Sequence, residues 1–197
     1  YSEFYAAQIA KAMGINAIDY RLSKWQGELC STCELFTSKK YSYLPVGRVV
    51  SGGMNAVAAY YRSKGEEFVK ALHDMLIFDA VVCNTDRHFG NFGFLVDNET
   101  NEIVAPAPLF DHGNALFNFA GRDDLASEQN LSDYADTLMP CVYDDFFETA
   151  KKVMTDEHRA ALRHLLTFRF KRPSRYNLPP ERLKLIEKMV RSRARKL

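Results

Sequence analysis

Asn84-Thr85-Asp86-Arg87-His88-Phe89-Gly90-Asn91 decides how this chain reads, because of what stands on either side of it. Ahead of it, Phe68, Leu72, Met75, Leu76, Ala80 and Cys83 recur at three- and four-residue steps. That period predicts a helix from Glu66 to Cys83, apolar enough to be buried on most sides. Behind it, Phe92 to Val96 and Glu102 to Ala105 flank the turn Asp97-Asn98-Glu99-Thr100-Asn101 and predict a hairpin, with Pro106 and Pro108 ending the second strand. If Asp97 pairs near Glu102, partner numbers sum to about 199 and Asn91 lies across from Pro108. Asp111 then falls just past that end of the ladder. Three oxygen-bearing side chains, on Asp86, Asn91 and Asp111, are thereby expected at one end of the hairpin.

Asp, Asn, His and Gly are all turn residues, so a lone Asp-x-x-x-x-Asn carries little. The whole arrangement carries more: buried helix, Asp-Arg-His-x-x-Asn, hairpin, the apolar pair Leu109-Phe110, then Asp111-His112-Gly113. Phosphoryl transfer needs an acceptor for the attacking hydroxyl's proton and oxygen ligands that hold magnesium against phosphates. Magnesium takes one or two such protein ligands beside phosphate and water. The spacing of Asp86 and Asn91, followed by Asp-x-Gly, is that of a kinase catalytic loop and its metal-binding Asp.

Asn84 to Asn91, together with Ala107-Pro108-Leu109-Phe110-Asp111, resembles the catalytic and metal segments of the HipA-like serine/threonine kinases of bacteria. Ile9-Ala10-Lys11-Ala12-Met13-Gly14 is similar to the helix that opens that family's C-terminal domain, and Cys33-Glu34-Leu35-Phe36 resembles its hinge. The resemblance implies an α+β, protein-kinase-like C-terminal lobe, mainly helical, with a small β segment at its start and a catalytic β-hairpin. Residues 1–50 would be the end of the small lobe and the hinge, and residues 51–197 the helical lobe. Asp86 would be the catalytic base, Asn91 and Asp111 the magnesium ligands, and Glu34, Leu35 and Phe36 the segment holding the adenine of ATP. An ordinary strand explains Glu34 to Phe36 as well. His88 would lie near the phosphates or brace the loop, and Arg87 would brace the loop in preference to neutralising phosphate. The acceptor would be a Ser or Thr hydroxyl of a protein substrate, with an antitoxin-like partner left open. The Gly-rich loop and the lysine that steadies the phosphates are expected upstream of Tyr1.

The remaining sequence sets the frame. With 47% apolar and 26% charged residues, 197 residues suffice for one well-buried domain. A net charge of +1 gives no global pull towards nucleic acid or an anionic surface. No apolar run approaches the roughly 20 residues of a membrane span, and Tyr1 to Tyr20 lacks the pattern of a signal peptide, which argues for the cytoplasm. The basic stretch Met189 to Lys196 reads as a solvated helix end whose cations suit the C-terminal dipole, with direct nucleic-acid contact the lesser reading. Cys30 and Cys33 have zinc-like spacing but no second pair follows them, so reduced thiols are expected.

Further elements read as follows. Ser2 caps a helix to Met13 that Gly14 stops, and Ile15 to Ser23 and Glu28 to Thr37 are strands joined around Gln26-Gly27. Lys39 to Val50 is a connecting segment, and Ser51-Gly52-Gly53 is a turn before a helix at Asn55 to Tyr61. Tyr143 to Met154, Asp156 to Phe168 and Pro180 to Arg195 are helices, with Asp156 as one N-cap and Pro179-Pro180 as another start.

Two other readings remain open. The Asp-Arg-His-x-x-Asn pattern also resembles the phosphoinositide-type lipid kinases, but Gly113 to Asp136 has only Arg122 against Asp123, Asp124, Glu128, Asp133 and Asp136. A segment so acidic is a poor reader of anionic headgroups. The other is a non-catalytic pseudokinase module that binds nucleotide or a partner, a reading that leaves the three retained oxygen ligands without a role.

Overall fold

The long buried helix forms as its period predicts and becomes the axis of the protein. In the computed structural model, which describes residues 1–173 and 175–197, it spans Glu66–Val82 (α3). Every residue from Met75 to Val82 is buried, Asp79 included. Around it pack Met54–Lys64 (α2), Phe146–Val153 (α5) and Pro180–Lys196 (α7). Ser2–Met13 (α1) lies against Asp156–Leu165 (α6), and Glu128–Thr137 (α4) against α7. The apolar faces of these helices close one continuous core through Ile9, Leu72, Leu76, Leu131, Leu165, Leu183 and Ile186.

Two small antiparallel sheets complete the α+β architecture. Tyr20–Trp25 (β1) and Glu28–Cys33 (β2) form a ribbon in which Tyr20 faces Cys33. The second sheet has three strands in the order β3-β4-β5: Tyr41–Pro45 (β3), Gly93–Asp97 (β4) and Ile103–Pro106 (β5). Phe94 pairs with Pro106 and Val96 with Ile103 across a one-residue irregularity, so partner numbers sum to 200 and then 199, close to the expected register. Phe94 is fully buried against Tyr60, Tyr61 and Phe68, which pins this sheet onto α2 and α3. Gly93 sits so close to β3 that an added Cβ would lie 2.2 Å from the Leu44 carbonyl oxygen. Only glycine lets those two backbones meet there.

Several local expectations are corrected. The segment from Lys39 to Val50 is not a mere connection, since Tyr41–Pro45 pairs with β4 as the third strand and a short 3₁₀ turn follows at Val46–Arg48. The first strand begins at Tyr20, not Ile15, and the second ends at Cys33, short of Thr37. Ser2 is the first residue of α1 and Tyr1 its N-cap. Thr155, not Asp156, caps α6: its hydroxyl accepts from the His158 N–H while the His158 ring accepts from the Thr155 N–H. The helix α4 was not foreseen; Ser127 caps it by accepting from the Asn130 N–H.

The basic C-terminal stretch is not simply solvated. Arg193 is buried, its Nε donating to the Ala80 carbonyl at 2.7 Å and its guanidinium lying 4.4 Å over the Phe147 ring, and Arg191 pairs with Glu187. Cations there hold α7 onto α3 and α5. All four cysteines are free thiols. No described helix is long and apolar enough to cross a membrane.

Candidate active site

The site begins where α3 ends. Cys83 turns into the left-handed region at φ 55° and starts the loop from Asn84 to Asn91. Asn84 is fully buried and works in both directions: its Oδ1 accepts from the Asp86 N–H at 3.2 Å and its Nδ2 reaches the Asp111 carbonyl at 3.5 Å. The side chain that organises the region is Arg87, which has no exposed surface. Its Nε and one Nη2 hydrogen bond go to the two oxygens of Asp79, at 2.9 and 3.0 Å. Its Nη1 donates to the carbonyls of Asn91 (3.1 Å) and Phe110 (2.6 Å), and Nη2 also donates to His112 Nδ1 at 3.1 Å. A guanidinium has five N–H donors, and all five are used.

Burial works against the Arg87 charge, but the facing Asp79 carboxylate outweighs it and holds the guanidinium pKa above its ordinary value. Because Arg87 can only donate, His112 Nδ1 must accept, so the imidazole is the neutral Nε2–H tautomer. Burial first, and the Arg87 charge second, push its pKa well below the usual histidine range.

Around this clamp stand the residues singled out from the sequence. Asp86 is half-buried, and its Oδ2 accepts from Asn114 Nδ2 at 2.8 Å. Asn91 is buried; its Nδ2 donates to the Asp86 carbonyl at 3.1 Å, which leaves Oδ1 for another partner. Asp111 is half-buried with a left-handed backbone at φ 57°, and among the described residues no hydrogen bond engages its carboxylate. One clamp thus holds the backbone at Asn91 and next to Asp111, twenty positions apart. His88 is exposed, and its Nδ1 accepts from the Gly90 N–H at 3.0 Å, so in this structure it braces its own loop. Arg87 braces too.

Glu34, Leu35 and Phe36 lie just beyond β2, outside any strand. The Phe36 ring packs 5.2 Å from Phe110 and 5.6 Å from Tyr43, which ties this segment to the residue before Asp111. Glu34 and Leu35 are exposed and, with Phe36, Arg21 and Pro108, line a cavity of about 430 Å³. A larger groove of about 950 Å³ runs between the start of α3 and the start of α6, and it includes none of these residues.

Three residues that the sequence did not single out also meet here. Asn114 steadies the Asp86 carboxylate. Tyr20, at the start of β1, accepts from the Asp111 N–H at 3.2 Å. Glu3, on the first turn of α1, turns its carboxyl towards the Tyr20 hydroxyl and the His112 N–H. Burial nevertheless raises its pKa, and its Oε2 is buried with no hydrogen-bond partner among the described residues. Asn114 could have been noticed as the residue after Asp-x-Gly. Nothing in the sequence brings Glu3 and Tyr20 to Asp111.

Two outcomes follow from the charges. Arg87→Met strands the Asp79 carboxylate in the core and is expected to cost about 3–5 kcal/mol in urea unfolding. Asp79→Leu combined with Arg87→Met should recover most of that loss; a double variant no more stable than the single one would show that the ion pair is not its origin. Glu3, as an acid whose pKa is raised in the fold, binds protons that the unfolded chain has released. Its contribution is therefore most favourable below its ordinary value of 4.5 and is lost as pH climbs through the raised one. Glu3→Gln should raise the melting temperature at neutral pH by roughly 1–3 °C, the scale of a change below 1 kcal/mol in a chain of this size. The gain should vanish near pH 4, which melts across the acid range would check.

No protein-family model matches the chain. Over 147 residues it is 27% identical to the serine/threonine-protein kinase CtkA of Helicobacter pylori, a stretch covering 67% of this chain and 44% of that protein. The chain thus spans under half the length of that curated relative. The crystal structure of the Helicobacter pylori proinflammatory kinase CtkA aligns with 100% of this chain and 82% of its own, with a TM-score of 0.73 at 17% identity. The HipA chain of Shewanella oneidensis, solved with HipB and operator DNA, aligns over 98% of this chain and 54% of its own, with a TM-score of 0.49 at 13% identity. The chain is thus similar in sequence to a serine/threonine-protein kinase and shares the fold of a solved kinase.

Proposed function

We propose that the chain is the C-terminal kinase domain of an ATP- and magnesium-dependent serine/threonine protein kinase, with residues 1–50 completing its small lobe and carrying the hinge. The observation behind this reading is the Arg87 clamp, which gathers Asp86, Asn91 and Asp111 into one neighbourhood. The donor set fits magnesium: one amide oxygen and one carboxylate, both free of competing hydrogen bonds among the described residues. No three His, Cys, Asp or Glu side chains there form a closed cage. A cation held by Asn91 and Asp111 would complete its shell from phosphate and water, and would supply neutralisation of phosphate charge.

The protein's own groups then divide the work. Asp86 takes the proton of the incoming Ser or Thr hydroxyl. Asn114 engages Asp86 Oδ2 and so aims the other oxygen at that hydroxyl. Glu3, with its unpartnered Oε2, would receive the ammonium of a lysine that steadies the phosphates. Glu34 to Phe36 would present backbone groups to the adenine, with Phe36 held in place by Phe110 and Tyr43. The acidic surface of Asp123, Asp124 and Asp133 favours a protein acceptor over an anionic lipid headgroup. A bacterial cytoplasm is the setting this reading implies.

Asp86→Asn in the complete protein is expected to lower turnover by about 10²–10⁴-fold, the usual worth of general-base help, with nucleotide affinity nearly unchanged. Radiolabelled phosphate transfer beside calorimetric titration checks it; transfer at the parent rate would remove Asp86 as the base, and joint loss of transfer and binding would make it a metal or structural residue. Mg-ATP should raise the melting temperature through a stabilisation of about 2.7 kcal/mol at a hundredfold excess over its dissociation constant. Asp111→Asn should abolish most of that shift. A parent protein unmoved by millimolar Mg-ATP would favour the pseudokinase reading.

A further inference from the structure

Asp111 is held in an uncommon posture. Its φ of 57° lies in the left-handed region, which a residue other than glycine occupies only when its surroundings fix it there. Arg87 holds the Phe110 carbonyl on one side and the His112 ring on the other, but neither bond is made by Asp111 itself. Two hydrogen bonds touch its own backbone. The Asn84 amide reaches its carbonyl at 3.5 Å, the weaker contact, and its N–H donates to the Tyr20 hydroxyl at 3.2 Å. Tyr20 is anchored for this purpose. It opens β1, pairs across the ribbon with Cys33, and sets its ring edge-on to His112 at 6.2 Å.

A phenol can accept one hydrogen bond while donating another. Burial, ahead of its charged neighbours, raises the Tyr20 pKa, so the hydroxyl keeps its proton at any working pH. The Glu3 carboxyl of α1 is a near neighbour of that hydroxyl. Two elements therefore meet on one oxygen, β1 through Tyr20 and the segment after β5 through the Asp111 N–H.

We propose that Tyr20 is a positioning residue, whose hydroxyl holds Asp111 in the left-handed conformation that presents its carboxylate to magnesium. The proposal rests on the reading of Asp111 as a magnesium ligand. Tyr20 touches neither metal nor nucleotide. Its influence should appear as a metal requirement and not as a loss of chemistry, because excess magnesium can select the correct Asp111 conformer from a loosened population.

The test is Tyr20→Phe in the complete protein, which removes the hydroxyl and keeps the ring. Magnesium is titrated at saturating ATP, read both as phosphate transfer and as the thermal shift of the protein. The expected result is a magnesium requirement raised about 3–10-fold, the factor one net hydrogen bond is worth. Turnover should return to near the parent value at high magnesium, with metal-free ATP binding unchanged. Leu22→Ala, which weakens the same ribbon with the hydroxyl intact, serves as the control for destabilisation alone. An unchanged magnesium requirement in Tyr20→Phe overturns the proposal, and so does an equal rise in Leu22→Ala. If Asp111→Asn also leaves the magnesium dependence untouched, the assignment of Asp111 as ligand fails first and the role of Tyr20 falls with it.

Discussion

The ion pair between Arg87 and Asp79 is the constraint on which the site depends. A carboxylate in the middle of a helix buried for eight consecutive residues is costly to desolvate, and it persists because a guanidinium meets both of its oxygens. A pair of apolar residues could fill the same space with equal or better stability, so stability does not explain its presence. What apolar residues could not do is grip backbone. The planar fork that faces Asp79 also reaches the carbonyls of Asn91 and Phe110, and thereby registers the two ends of the hairpin against α3. With Arg87 drawn fully inward, Asp86 is left at the half-buried rim beside Asn114.

The segment after the hairpin stores strain that the helices hold in place. Asp111, Leu116 and Phe117 all have positive φ although none is glycine. Such residues survive only where their surroundings over-determine them. Leu116 donates its N–H to the Val82 carbonyl at 2.7 Å, which caps the end of α3 with the strained loop itself. The Phe117 carbonyl accepts from Arg182 on α7 at 3.2 Å. The loop that leaves Asp111 is thus fastened to the first and last long helices of the helical part, and the bundle fixes its path.

How much of this could be read in advance follows the range of the interactions. α3 and the β4–β5 hairpin were legible because their signals are local: a 3.6-residue apolar period, and two short strands around a polar turn. Their register is enough to bring Asp86, Asn91 and Asp111 to one end of the hairpin. β3 was not legible, because Tyr41–Pro45 joins β4 across some fifty positions and its own sequence, with Lys39, Lys40 and Pro45, lacks alternation. α4 escaped because its only buried residues are Leu131 and Ala135, too few to show a period, so Ser127 was not recognised as its cap. Asp79 carried no signal of its own, because only the fold brings the Arg87 guanidinium to it. Glu3 and Tyr20 were beyond reach for a plainer reason: over ninety positions separate Tyr20 from Asp111, and only the packing of α1 and the ribbon joins them.

The two supports of the site differ in kind. On the helical side, Arg87 has every donor occupied and lies beyond solvent, so that support has no alternative arrangement of comparable energy. On the side of α1, Glu3 keeps one carboxylate oxygen buried and unpartnered and a pKa raised by that burial, both marks of an interaction left incomplete. Asp86 and Asn91 therefore belong to the permanent half of the site. Asp111, whose two neighbours in sequence Arg87 holds and whose own N–H donates to Tyr20, is where the two supports meet.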